Sequence, residues 1–71
     1  MDTKVGIVGL GYVGLPLSVL FAEAGFNVIG YDLDSNKVNS LKEGRVYIDD
    51  ISSDRYLRCA EGILATTNPE D

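Results

Sequence analysis

An open α/β sheet of three parallel strands joined by helical crossovers is the fold class this sequence predicts. Three observations carry that expectation. Short runs of β-forming residues alternate with helix-length segments, so each strand returns by a crossover and not by a hairpin. The first run is continuously apolar, which is the pattern of a strand in a parallel sheet. Glycines stand where the helical segments end.

Residues 5–8, Val-Gly-Ile-Val, begin after Lys4, stop at Gly9 and read as a buried parallel strand. Residues 13–24 follow as a helix, apolar on most of its circumference and closed by Gly25, so cover on more than one side is expected. Pro16 falls in its first turns, where a missing N–H costs little. Residues 26–31 suit a second buried strand ending at Asp32. Asp34 or Ser35 can cap a polar helix with Val38 and Leu41 inward and Gly44 at its end. Residues 45–51 read as a loop, because Asp49 and Asp50 interrupt the alternation of Val46 and Ile48. Ser52 or Ser53 can cap a third helix with Tyr56, Leu57 and Ala60 inward, ended by Gly62. Residues 63–66 form the third strand. Asn68-Pro69-Glu70-Asp71 then has the pattern of a further helix start.

Composition limits the function classes. The chain has 71 residues, 45% of them hydrophobic and 24% charged, which excludes a disordered or low-complexity chain. Six basic against eleven acidic residues give a net charge of −5, with no basic patch for a nucleic-acid backbone. No apolar run reaches the roughly 20 residues that span a bilayer, so a cytoplasmic protein away from membranes is expected. The single cysteine and the lack of histidine exclude a disulfide framework and the common zinc patterns. A domain this small without a staple suggests a piece of a larger protein.

Gly9-Leu10-Gly11-Tyr12-Val13-Gly14 matches G-x-G-x-x-G. That pattern is weak when isolated. Here a strand precedes it, an apolar helix follows, and an acid closes the second strand. Gly9 permits the tight turn, Gly11 lacks a Cβ that would meet a pyrophosphate, and Gly14 lets the helix approach the strand. N–H groups around Tyr12 and Val13 at the helix start can face phosphates, so an acidic chain needs no net positive field to hold an anion. The order of these parts is that of a Rossmann-type sheet, here its N-terminal βαβαβ half, residues 1–71 forming part of an NAD-binding domain. Asp32 is placed for the adenosine ribose hydroxyls and disfavours the extra phosphate of NADP, so NAD is the expected cofactor. A turn-capping role is also open to Asp32. Lys37 is either a second ribose contact or a solvated lysine on a polar face. Cys59, with no histidine to activate it, reads as a small buried hydrophobe, and Asp49-Asp50 reads as a solvated loop and not a metal site. No catalytic acid–base constellation is present.

The string from Lys4 to Pro16, and above all Gly11-Tyr12-Val13-Gly14-Leu15-Pro16, resembles the N-terminus of UDP-sugar 6-dehydrogenases. Gly30-Tyr31-Asp32, Lys37-Val38, Leu41, Gly44 and Leu64-Ala65-Thr66-Thr67 extend the resemblance along the chain. It implies a parent enzyme, active in surface polysaccharide precursor synthesis, that oxidises the C6 alcohol of a UDP-sugar to a carboxylate with two NAD, through a cysteine thioester. The cysteine, its lysine and asparagine partners and the sugar pocket are then expected downstream of residue 71. Position by position, Gly9, Gly11, Tyr12, Val13 and Gly14 would form the pyrophosphate loop, with Asp32 and Lys37 on the adenosine ribose. Tyr47-Ile48-Asp49-Asp50-Ile51 lacks the proline of the UDP-glucose enzymes and is more similar to the UDP-N-acetylhexosamine branch. A homo-oligomer is expected of the parent, and self-association through the first strand is expected of the 71 residues alone, which are also expected to be inactive on their own. A non-catalytic NAD-sensing module, the alternative reading, would share strand, loop and acid.

Overall fold

A computed structural model describes residues 4–49 and 51–68. Its elements are β1 (Lys4–Val8), α1 (Gly14–Glu23), β2 (Asn27–Tyr31), α2 (Ser35–Lys42), α3 (Ser53–Cys59), a 3-10 turn (Ala60–Gly62) and β3 (Ile63–Thr66). Residues 45–49 and 51 have no regular structure, as expected, and Asp50 lies outside the described residues. Of the expected final helix start, residues 69–71 lie outside the described residues.

The three strands are parallel in the order β1-β2-β3, with Ile7 opposite Gly30 and Gly30 opposite Ala65. That register puts Ile7, Val28, Ile63 and Ala65 on the face covered by the helices, where all are buried. Leu15 and Val19 of α1, Val38 and Leu41 of α2, and Tyr56 of α3 close over this face as one cluster. Ile48 and Ile51, from the long connection after α2, are buried with them.

The opposite face is open, which corrects two expectations. Val8 is 84% exposed, so β1 is buried on one face only. Helix α1 likewise buries Leu15, Ser18 and Val19 while Leu20 remains 55% exposed. Both segments are apolar enough for cover on two sides, and among the described residues only one side has an element against it. In α3, Tyr56 is inward but Leu57 is 54% exposed, because adjacent residues of an α-helix point to different faces; the α-helix ends at Cys59 and a 3-10 turn carries the chain to Gly62.

Local chemistry accounts for the helix boundaries. The Asp34 side chain accepts the N–H of Asn36 and so caps α2, and Ser52 accepts the N–H of Arg55 to cap α3. At the end of α1, Gly25 adopts φ +97° and donates to Ala22 O, while Phe26 N–H reaches Phe21 O. This is a Schellman closure, and its apolar contact is the edge-to-face pair Phe21–Phe26 at 5.7 Å. Helix α2 ends in the same way at Gly44. The guanidinium of Arg55 binds both carboxylate oxygens of Glu23 at 2.8 and 2.9 Å, tying α3 to α1 and holding the Glu23 carboxyl below its ordinary pKa.

The junction of β1 and α1 is the tightest place in the fold. A Cβ on residue 14 would lie 1.6 Å from the carbonyl oxygen of Gly9, whereas one on residue 11 would meet nothing within 4 Å. Backbone cannot yield as a side-chain tip can. Gly14→Ala is therefore expected to destabilise the protein by about 2–3 kcal/mol, a fall in Tm of roughly 10–20 °C. Gly11→Ala should leave Tm within a few degrees of wild type. Thermal melts of the two variants check the contrast.

Candidate nucleotide-binding site

The C-terminal ends of β1 and β2 lie side by side, the position at which open parallel sheets bind ligands. Gly9, at φ +89°, extends the ladder by donating to Tyr31 O at 2.7 Å and then turns the chain across the top of the sheet. Leu15 N–H bonds to Gly11 O, so the first turn of α1 closes directly on the loop. Among the described residues, nothing accepts a hydrogen bond from the N–H of Gly11, Tyr12 or Val13. The side chains of Tyr12 and Val13 are 81% and 78% exposed, flanking a groove of about 490 Å³ lined also by Gly9, Gly11 and Gly14. A smaller groove of about 180 Å³, lined by Tyr31, Asp32 and Leu33, adjoins it at Val8 and Gly9.

Asp32 lines the smaller groove, next to the Val8-Gly9 segment that both grooves share. Its Oδ2 accepts the N–H of Leu10 and its Oδ1 accepts the N–H of Asp34, each at 2.8 Å. The Asp34 bond, then the Leu10 bond, hold the carboxyl below its ordinary pKa, and the charge of Lys37 acts in the same direction. A carboxylate oxygen has two lone pairs, so each retains acceptor capacity after these bonds. Lys37, half-buried on α2, is thus brought into the electrostatic neighbourhood of Asp32. All seven residues singled out in the sequence, Gly9, Gly11, Tyr12, Val13, Gly14, Asp32 and Lys37, lie at this one end of the sheet.

Two residues at the site were not singled out. Leu10 is fully buried, its side chain lying so close over Gly30 that a Cβ there would come within 2.6 Å of Leu10 Cδ2. Tyr47, in the connection after α2, donates its hydroxyl to Leu10 O at 2.6 Å. Burial, reinforced by the charges of Asp32 and other neighbours, pushes the Tyr47 phenol up to about 12, so it remains a neutral donor near pH 7. Cys59 lies at the other end of the sheet, beside Gly25, Phe26 and Gly62. Its thiol approaches Tyr56 O at 3.5 Å, and burial raises its pKa, which disfavours the nucleophilic thiolate.

A carboxyl whose pKa is lowered on folding stabilises the fold fully above its unfolded value, near 3.8 for Asp32, and loses that contribution as pH falls through the lower folded value. Asp32→Asn is therefore expected to lower Tm at pH 7. The gap to wild type should narrow steadily below about pH 4. Paired melts across pH 2–7 measure it.

Comparison with known proteins places this geometry. Residues 3–69 match the model of the UDP-glucose/GDP-mannose dehydrogenase family, NAD binding domain. The chain is 36% identical over 55 residues to the UDP-N-acetyl-D-mannosamine dehydrogenase of Pyrococcus horikoshii, covering 78% of this chain and 13% of that relative. It is 38% identical over 71 residues to the Campylobacter jejuni enzyme of the same name, covering 96% and 17%. Among solved structures, the UDP-N-acetyl-mannosamine dehydrogenase of Staphylococcus aureus superposes with a TM-score of 0.88 at 31% identity, over 94% of this chain and 17% of that one. A UDP-glucose dehydrogenase from Pyrobaculum islandicum superposes with a TM-score of 0.82 at 27% identity, over 96% and 16%. The chain thus spans about one-sixth or less of the length of these relatives. A parallel three-stranded sheet, a glycine loop over its C-terminal edge and a match along nearly all of the sequence give one conclusion: the chain belongs to the UDP-glucose/GDP-mannose dehydrogenase family and is of its NAD binding domain type.

Proposed function

We propose that these residues hold the adenosine diphosphate portion of NAD in an enzyme that oxidises the C6 alcohol of a UDP-sugar to a carboxylate. The observation that carries this reading is the pairing of unpartnered loop amides over an open Gly11 with the carboxylate of Asp32 beside them. In this reading Gly9, Gly11, Tyr12, Val13 and Gly14 form the pyrophosphate cradle. The amides at the start of α1 supply positive charge locally, so the net charge of −5 does not oppose the ligand at contact distance. Asp32 accepts from the ribose hydroxyls with the lone pairs left over from Leu10 and Asp34, and Lys37 approaches the same ribose edge. A phosphate on the 2′ oxygen would meet the carboxylates of Asp32 and Asp34, which disfavours NADP.

NAD, when bound, supplies the two-electron acceptor for alcohol oxidation, and these residues bind and orient it. Cys59 is too far removed, at the opposite end of the sheet, to serve as the thiol of such a reaction. The residues described are the cofactor half of the chemistry, and the domain is accordingly part of a larger catalytic unit. The names of the relatives favour a UDP-N-acetylhexosamine over UDP-glucose as substrate, with surface polysaccharide precursors as the product class. The same names speak for an enzyme over a sensing module. No helix among the described residues is long and apolar enough to cross a membrane, consistent with a cytoplasmic site of action. A homo-oligomer of the parent enzyme belongs to the same reading.

Titration with NAD and NADP tests the cofactor assignment. NAD should bind at least ten-fold more tightly, a difference of about 1.4 kcal/mol. Asp32→Ala should weaken NAD and remove most of that preference, and Gly11→Ala should weaken both cofactors with little change in Tm. Equal affinity of the wild-type protein for both would overturn the role given to Asp32.

A further inference from the structure

Leu10 occupies one of the unspecified positions of the glycine motif, yet it is the most tightly held residue of the loop. Its N–H is taken by Asp32, its carbonyl by the Tyr47 hydroxyl, and its side chain is packed on Gly30. The Tyr47 bond reaches across 37 residues of sequence, from a connection that contributes no regular structure. The peptide between Leu10 and Gly11 is trans, so the N–H of Gly11 points away from the Leu10 carbonyl. Fixing that carbonyl against Tyr47 therefore aims the Gly11 amide to the opposite side of the peptide plane. Without the hydroxyl, the carbonyl would lose its partner and the peptide plane one of its restraints.

We infer that Tyr47 is a positioning residue for cofactor binding: by holding the Leu10 carbonyl, it turns the Gly11 N–H toward the diphosphate. The inference rests on the proposed placement of NAD over the glycine loop. Tyr47 does not touch the cofactor in this account. It acts through one peptide plane, and its contribution is confined to ligands that carry phosphate. The contact also couples the segment after α2, in which Ile48 and Ile51 are buried, to the geometry of the cofactor loop.

The test is made on the protein at its full natural length, with ADP and adenosine as probes and with Tyr47→Phe and Gly11→Ala as variants. Tyr47→Phe keeps the ring and removes only the hydroxyl. It should raise the Kd for ADP about three- to ten-fold, the effect of one lost hydrogen bond, and leave that for adenosine within about two-fold. In the wild-type protein, hydrogen exchange of the Gly11 amide should slow on adding ADP and not on adding adenosine, which keeps the test open even if the variant folds poorly. Unchanged ADP affinity in Tyr47→Phe, with clear loss in Gly11→Ala, would overturn the role of Tyr47 and leave the cofactor site standing. Unchanged ADP affinity in both variants would remove the site itself, and the inference with it. Equal weakening of ADP and adenosine by Tyr47→Phe would also overturn the inference, because a merely structural tyrosine would act on both.

Discussion

The carboxylate of Asp32 joins three pieces of chain that no apolar contact alone would hold in register. One oxygen takes the amide of Leu10 at the turn after β1, and the other takes that of Asp34 at the start of α2. The Leu10 amide is partly buried, so losing its partner there costs more than the loss of the exposed Asp34 bond. The glycine loop, the end of β2 and the cap of α2 are therefore set by one side chain. Charge-assisted bonds of this kind are short and directional, so they fix the angle of the loop as well as its distance.

Around that point the fold does little more than bring the two strand ends together. The sheet is covered on one face, with Val28 and Ala65 buried beneath helices and Val8 largely exposed on the other face. Helix α1 can begin immediately after the loop because residue 14 has no Cβ to meet Gly9 O. Its first amides remain available to a ligand for the same reason, since no side chain or further turn intervenes. In the proposed reading, an acidic protein holds an anion without a cluster of lysines, through the orientation of backbone dipoles and not through net charge.

Features that work through a residue's own type at a short offset were legible in the sequence. Gly25 and Gly44 end helices because they reach positive φ, Ser52 caps α3 because its hydroxyl meets an amide three residues on, and the acid after β2 marks itself by its position. The same holds for Gly14, whose missing side chain is a direct demand of packing. Tyr47 was not legible. Its partner is a backbone carbonyl far away in sequence, and an aromatic in a loop carries no periodic or spacing signal. Leu10 was passed over because the motif leaves its identity open, although its burial over Gly30 anchors the turn. The apolar composition of β1 and α1 reports which surroundings a segment tolerates, and the described residues, about a sixth or less of the relatives' length, place an element on one side only.

The central claim is that NAD lies across the C-terminal ends of β1 and β2, between the glycine loop and Asp32. Backbone amide chemical shifts, followed by NMR during an NAD titration, test it most directly. The account predicts shift changes concentrated at residues 9–14 and 32–34, with Glu23, Cys59 and Gly62 at the opposite end of the sheet unmoved. Changes centred on that opposite end, or none at the glycine loop at saturating NAD, would contradict it.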